Sequence, residues 1–203
     1  PHLLKAQNLS GGFGVSPGVK HGDAVVTALA LQAVRLAEEA RLLDPAPVYA
    51  KAHAQEGLFR AGSNARGQMS ATGNNDFDGY PAAGGGTTSA ALYARLLTLE
   101  GARKDPRTVL EKDLVMGRLP RSGEPPDYLA LWFGSSALFA WGGVAWDGWN
   151  RALKETLLPL QAKEGEDKGA FPADGRWFGG RVASTALALL SLEVYYRYPR
   201  EER

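Results

Sequence analysis

Residues 169–198, GAFPADGRWFGGRVASTALALLSLEVYYRY, decide how this chain folds. A loop punctuated by glycine and aromatic residues runs directly into a helix that is apolar on nearly every face. Such a helix has to be enclosed by other elements. Upstream, the same plan recurs. A small residue followed by Ala-Leu appears at Thr27-Ala28-Leu29, Ala90-Ala91-Leu92, Ser136-Ala137-Leu138 and Thr185-Ala186-Leu187, so the marks lie 63, 46 and 49 residues apart. Phe13 precedes Thr27 by the same 14 residues that separate Phe171 from Thr185, and Tyr80 precedes Ala90 by 10. Intervals of this size, each holding one buried and one amphipathic helix, indicate an array of helical hairpins.

Local signals place the helices. Asp23, Asp44, Asp105 and Asp127 each stand where a carboxylate accepts the free amides of a first helical turn. Asp44-Pro45 and Asp105-Pro106 add a proline suited to that turn. The expected buried helices are Ala24 to about Leu42, Thr87 or Thr88 to about Leu99, a helix from Asp127 through Trp141, and Thr185 to Tyr195. The expected amphipathic helices end near Ala54, near Met116 and at Leu160, the last starting at Trp146. Gly101, Gly117 and Gly142-Gly143 stop helices. Strand patterns are nearly absent, and the chain is expected to be all-α. Residues 55 to 86, rich in Gly, Ser, Asn and Ala, read as a long loop. The repeats fall at about 7–54, 75–116, 119–160 and 161–198, within a single domain spanning 1–203. Leu3, Leu4 and Lys5 read as the end of a helix already in progress, so the chain is expected to be the C-terminal part of something longer.

Composition narrows the chemistry. Lys and Arg total 23 against 22 acids, which leaves no net field for nucleic acid. Arg103, Lys104 and Arg107 group together, but Asp105 sits among them, and the group reads as a solvated helix start. With no cysteine, disulfides, thiolate catalysis and sulfur-ligated zinc are excluded, and the compartment stays open. The most apolar run, Val182 to Tyr196, is broken by polar residues and falls short of a transmembrane segment.

The residues Gln161 with Gly169-Ala170-Phe171, and Gln7 with Gly12-Phe13, resemble the Q-x-G-x-W/F repeat of squalene cyclases and protein prenyltransferases. Asn75 with Gly79-Tyr80 looks like a degenerate third copy. The resemblance implies an α/α toroid, in which inner and outer helices alternate around a central cavity; the full ring needs about six hairpins, and about four are present here. It also implies that Gln7, Phe13, Tyr80, Gln161 and Phe171 are scaffold, the amide tying helix ends and the ring stacking on its loop. Cyclases, prenyltransferases and thioester-containing domains share that architecture, so the fold alone does not fix an activity.

Each activity of the family has a residue requirement. Cyclases use a D-x-D-D segment in which crowding keeps one acid protonated. The nearest match is Asp76-Phe77-Asp78-Gly79, which lacks the last acid; Asp76 and Asp78 are weak catalytic candidates and read as turn formers. Prenyltransferase zinc needs Asp, Cys and His. His2, His21 and His53 are widely separated, so no metal site and no cofactor are expected. Gly134-Ser135-Ser136 sits inside a helical pattern and not at a nucleophile elbow. Gly84-Gly85-Gly86 opens a helix without a following Lys. What remains is a cavity lining at the starts of the inner helices: His21, Asp23, Tyr80, Asp127, Tyr128, Trp132, Trp177 and Arg181, with Glu193 near the end of the last one. Aromatic walls with a few polar groups suit an apolar or isoprenoid small molecule. The expected function is a ligand-binding or scaffold toroid, with a small molecule or a protein as its partner. The alternative is a terpenoid cyclase-like enzyme whose acid lies outside this segment. A third expectation is peripheral membrane association through an exposed rim of Trp132, Phe133, Trp146 and Trp149, set against packing of the same residues between helices.

Overall fold

The Asp23 carboxylate accepts the Val26 amide at 2.9 Å, and the first helix, α1 (Ala24–Glu39), begins at its sequence-predicted cap. The computed structural model describes residues 5–8, 11–14, 23–54, 86–174 and 180–197, the side chains of 51–54 and 197 apart. Asp44 caps α2 (Ala46–Ala54) through the Ala46 amide. After α3 (Gly86–Thr98) the chain turns at Gly101, whose positive φ of 70° suits glycine, and passes through a 3-10 turn at Ala102–Lys104. Asp105 then holds both the amide and the hydroxyl of Thr108, starting α4 (Pro106–Met116).

Asp127 accepts the Ala130 amide at 3.0 Å and starts α5 (Tyr128–Trp141). Gly142 and Gly143, both at positive φ, reverse the chain into α6 (Gly143–Leu157), which ends in a 3-10 turn at Leu158–Leu160. The last two helices are α7 (Gly180–Leu192) and α8 (Val194–Arg197). Among the described residues every regular element is helical, so the all-α expectation holds. None of the described helices is long and apolar enough to cross a membrane.

The chain divides into two compact units, Pro1–Leu114 and Val115–Arg203. In the first, α1 packs on α3; in the second, α5 packs on α7 and on α6. The helices expected to be buried are therefore the ones that pair within each unit. Small side chains make this close pairing feasible: α1 buries Ala24, Thr27, Ala28 and Ala30, and α3 buries every residue from Gly86 through Arg95. Helix α6 shows the amphipathic spacing plainly, with Trp146, Trp149, Leu153, Thr156 and Leu157 turned inward.

Three expectations change. Full enclosure fails for α1 and α7, because Leu29 and Leu36 on the first and Val182 and Leu189 on the second are exposed. The last long helix starts at Gly180, ahead of Thr185, and breaks at Glu193, where the Tyr196 amide bonds back to the Glu193 carbonyl. The apolar rim is no rim: Phe133, Trp146 and Trp149 are buried, and Trp132 is half-buried against Phe133 with ring centroids 4.6 Å apart. These rings pack between helices.

Candidate functional site

The residues that carry the family resemblance form two matching clamps. In the first unit, the Gln7 side-chain amide donates to the carbonyls of Gly11 (2.8 Å) and Val48 (3.0 Å). The Phe13 amide donates to Thr27 Oγ1 at 2.9 Å, and the Thr27 hydroxyl donates back to the Phe13 carbonyl at 3.2 Å. In the second unit, Gln161 donates to the Gly169 carbonyl at 3.0 Å and the Phe171 amide donates to Thr185 Oγ1 at 3.0 Å. The 14-residue spacing in the sequence is thus the reach from a loop aromatic to a hydroxyl on the following helix. Both rings are buried, so each clamp fixes the depth at which its loop meets the helix. The other two marks differ in what their side chains can offer a loop amide. Ala90 has no hydroxyl, and Ser136 turns its own to the Trp132 carbonyl within α5.

Thr27 is fully buried and makes two of these bonds, whereas Thr185 is half-buried and makes one. Thr27→Val keeps the shape, removes the acceptor of a buried amide, and is expected to cost about 1–3 kcal/mol. Thr185→Val should cost less, and Thr27→Ser should retain most of the stability. Chemical denaturation of the three variants checks the order.

The sequence-predicted lining is only partly gathered. His21, Tyr80 and Trp177, with Asp76 and Asp78, lie outside the described residues. Asp23 and Asp127 are helix caps; burial pushes the Asp23 carboxyl up from its ordinary value, against the amides of Val26 and Val25 that hold it down. Tyr128 is 1% exposed, and its ring forms a T-shaped pair with that of Phe171, the centroids 6.5 Å apart. Its hydroxyl is buried without a hydrogen-bond partner, and desolvation with the nearby Asp174 carboxylate pushes the phenol up to about 12. Arg181 is 52% exposed and forms an ion pair with Asp167. Glu193 is half-buried in the turn between α7 and α8. Tyr128 therefore joins Phe171 and Asp174, while Arg181 is turned to solvent. Ser135 in mid-helix accepts a hydrogen bond from the Trp149 indole at 3.0 Å, a packing role.

A buried acid escaped the sequence reading. Glu111 on α4 is 1% exposed, with Oε2 at 3.0 Å from Arg95 Nε on α3 and Oε1 at 3.6 Å from Arg107 Nε. Arg107, read as part of a solvated basic group, is turned toward this carboxylate. Burial is the largest influence on Glu111 and pushes its carboxyl up to about 7, although both arginines pull it down. A signal was present: Arg95 is a lone charge in the otherwise apolar TTSAALYARLL, and a buried arginine requires a counter-charge. Among the described residues, no three acidic or histidine side chains come together to hold a metal ion. No protein-family model matches the sequence, nor does any curated protein or solved structure.

Proposed function

We propose that this chain is a ligand-binding or scaffold segment of an α/α toroid of the squalene cyclase and prenyltransferase repeat type, working without that family's acid or zinc chemistry. One observation carries the reading. In both clamps the motif Gln and aromatic residues are engaged in holding a loop to a helix, which is architecture and leaves none of them to react. The alternation of the helices that pair within each unit, α1 with α3 and α5 with α7, with amphipathic helices supports a reading of inner and outer layers. The buried polar edge at Tyr128 and Asp174, set against Phe171, supports an apolar ligand with one polar end.

The test uses the whole chain, with squalene and farnesyl diphosphate as probes. Tryptophan fluorescence reports binding, and mass spectrometry of the extracted lipids reports chemistry. The expected result is a saturable fluorescence change with the probe recovered intact. Cyclised or transferred product that disappears in Asp78→Asn would overturn the reading in favour of a terpenoid cyclase-like enzyme. A tryptophan signal unchanged by either probe would remove the isoprenoid class and leave a scaffold for a protein partner.

A further inference from the structure

We infer that the buried N-terminus of α3 binds a tetrahedral oxyanion of the phosphate class, held by the first-turn amides and the Thr88 hydroxyl. The sequence GGGTTS at 84–89 is made of small residues that let an oxyanion approach a helix start, although the lysine of a phosphate-binding loop is missing. Gly84 and Gly85 lie outside the described residues, and as glycines they bring no side chain to cap the helix. The first turn contains no acid. Its amides have no partner within the helix ladder and carry the positive end of the helix dipole. What such amides take is visible at α1, α4 and α5, where a carboxylate oxygen of Asp23, Asp105 or Asp127 accepts one.

Thr88 supplies the second, independent observation. It is 1% exposed, and its Oγ1 is buried without a hydrogen-bond partner. A hydroxyl within a helix ordinarily donates to the carbonyl four residues back. Thr98 does so on this same helix, to Ala94 at 2.8 Å, and Ser191 does so on α7, to Leu187 at 2.7 Å. Thr88 makes no such bond. Every Cα–Cβ bond of an α-helix leans toward its N-terminus, so Thr88, in the first turn, carries its hydroxyl toward the open end of α3. A buried hydroxyl that lacks an acceptor is destabilising. One tetrahedral oxyanion removes that defect, because it offers one oxygen to the hydroxyl and others to the amides.

The residues from Gly86 through Ser89 are all buried, so water screens the helix end little. Arg95, two turns further along α3, is engaged with Glu111. The positive charge at the site is therefore that of the helix end and not of a side chain, and binding should be weak and rapidly exchanging. Free phosphate suffices for it, so the inference is independent of whether the chain binds isoprenoids.

Backbone NMR of the labelled full chain reads the site, titrated with inorganic phosphate at constant ionic strength and with chloride as the control. The expected result is a saturable shift of the Gly86, Thr87 and Thr88 amides that chloride does not produce. Methyl phosphate, titrated alike, tells a free anion from the phosphate of an ester, and saturation of these amides by either supports the site. Thr88→Val keeps the shape and should weaken binding about tenfold or more, the loss of one hydrogen bond to a charged group. Thr88→Ser should retain it. Without phosphate, Thr88→Val should be as stable as wild type, because the hydroxyl it removes has no partner to leave unsatisfied. Shifts absent with both anions, spread over surface lysines and arginines, or equal in Thr88→Val would overturn the site, and so would a Thr88→Val chain that is destabilised or unfolded.

Discussion

Phe171→Ala is expected to destabilise the second unit by about 3–5 kcal/mol, the range for deleting a large ring from a close-packed site. Phe171 is 1% exposed, and its ring forms a T-shaped pair with that of Tyr128, itself fully buried. Its amide is anchored to Thr185, and the adjoining loop is held from both sides by bonds between Ala162 and Ala170 and between Gly169 and Ala162. A loop fixed at so many points cannot collapse into the space left by the ring, which places the cost toward the upper end. All five tryptophans lie between positions 132 and 177, so fluorescence during urea unfolding reports this unit directly. Phe13→Ala should behave alike in the first unit, where the same clamp holds a buried ring, and circular dichroism would follow it. A loss below about 1 kcal/mol for Phe171→Ala would mean that the loop repacks, and the clamp would not be a structural anchor.

How far the chain could be read before its structure was known depended on how local each feature is. The four aspartate caps were legible because a cap needs only its own residue and an amide two or three positions on. The Gly142-Gly143 reversal was legible for the same reason, since positive φ selects glycine. Helix ends were less so: α1 stops at Glu39, short of Leu42, where Arg41 takes a left-handed conformation that no side-chain pattern announces. The 14-residue spacing was visible as a number, but its cause, a threonine hydroxyl holding a phenylalanine amide, needed the tertiary structure.

The candidate site was read less well because its parts are joined by non-local contacts. Periodicity reads α4 as an ordinary amphipathic helix, yet Thr108, Glu111 and Val115 face inward while Leu110 is exposed. That inversion is set by Arg95, from a different helix, and cannot be found within α4 alone. Tyr128 was rightly placed at a helix start beside aromatic residues; that its hydroxyl lacks a partner depends on what surrounds it in space. Arg181 was placed in the lining by its position near a helix start, but its ion pair with Asp167 draws it to the surface.

Gly134→Val is expected to cost the second unit about 3–5 kcal/mol, and Gly134→Ala to destabilise as well, reversing the usual sign of glycine replacement inside a helix. An exposed helical glycine gains up to about 1 kcal/mol on becoming alanine. Here an added Cβ would stand 2.7 Å from Cη2 of Trp149 and closer still to Cζ2. The obstacle is a rigid indole, itself 2% exposed and fastened by its Nε1–H to Ser135 Oγ at 3.0 Å. Moving the ring costs about 1–3 kcal/mol in overpacking. Breaking its hydrogen bond leaves two buried polar groups without their partner, for about 1–3 kcal/mol more. Gly148 supplies the control on the facing helix, because a Cβ there meets only the flexible end of Met116 at 3.5 Å. Gly148→Ala should therefore be neutral or gain about 0.5–1 kcal/mol. Urea unfolding of the three variants tests the contrast: if Gly134→Ala were as well tolerated as Gly148→Ala, α5 and α6 would not be in contact through Trp149 at this point.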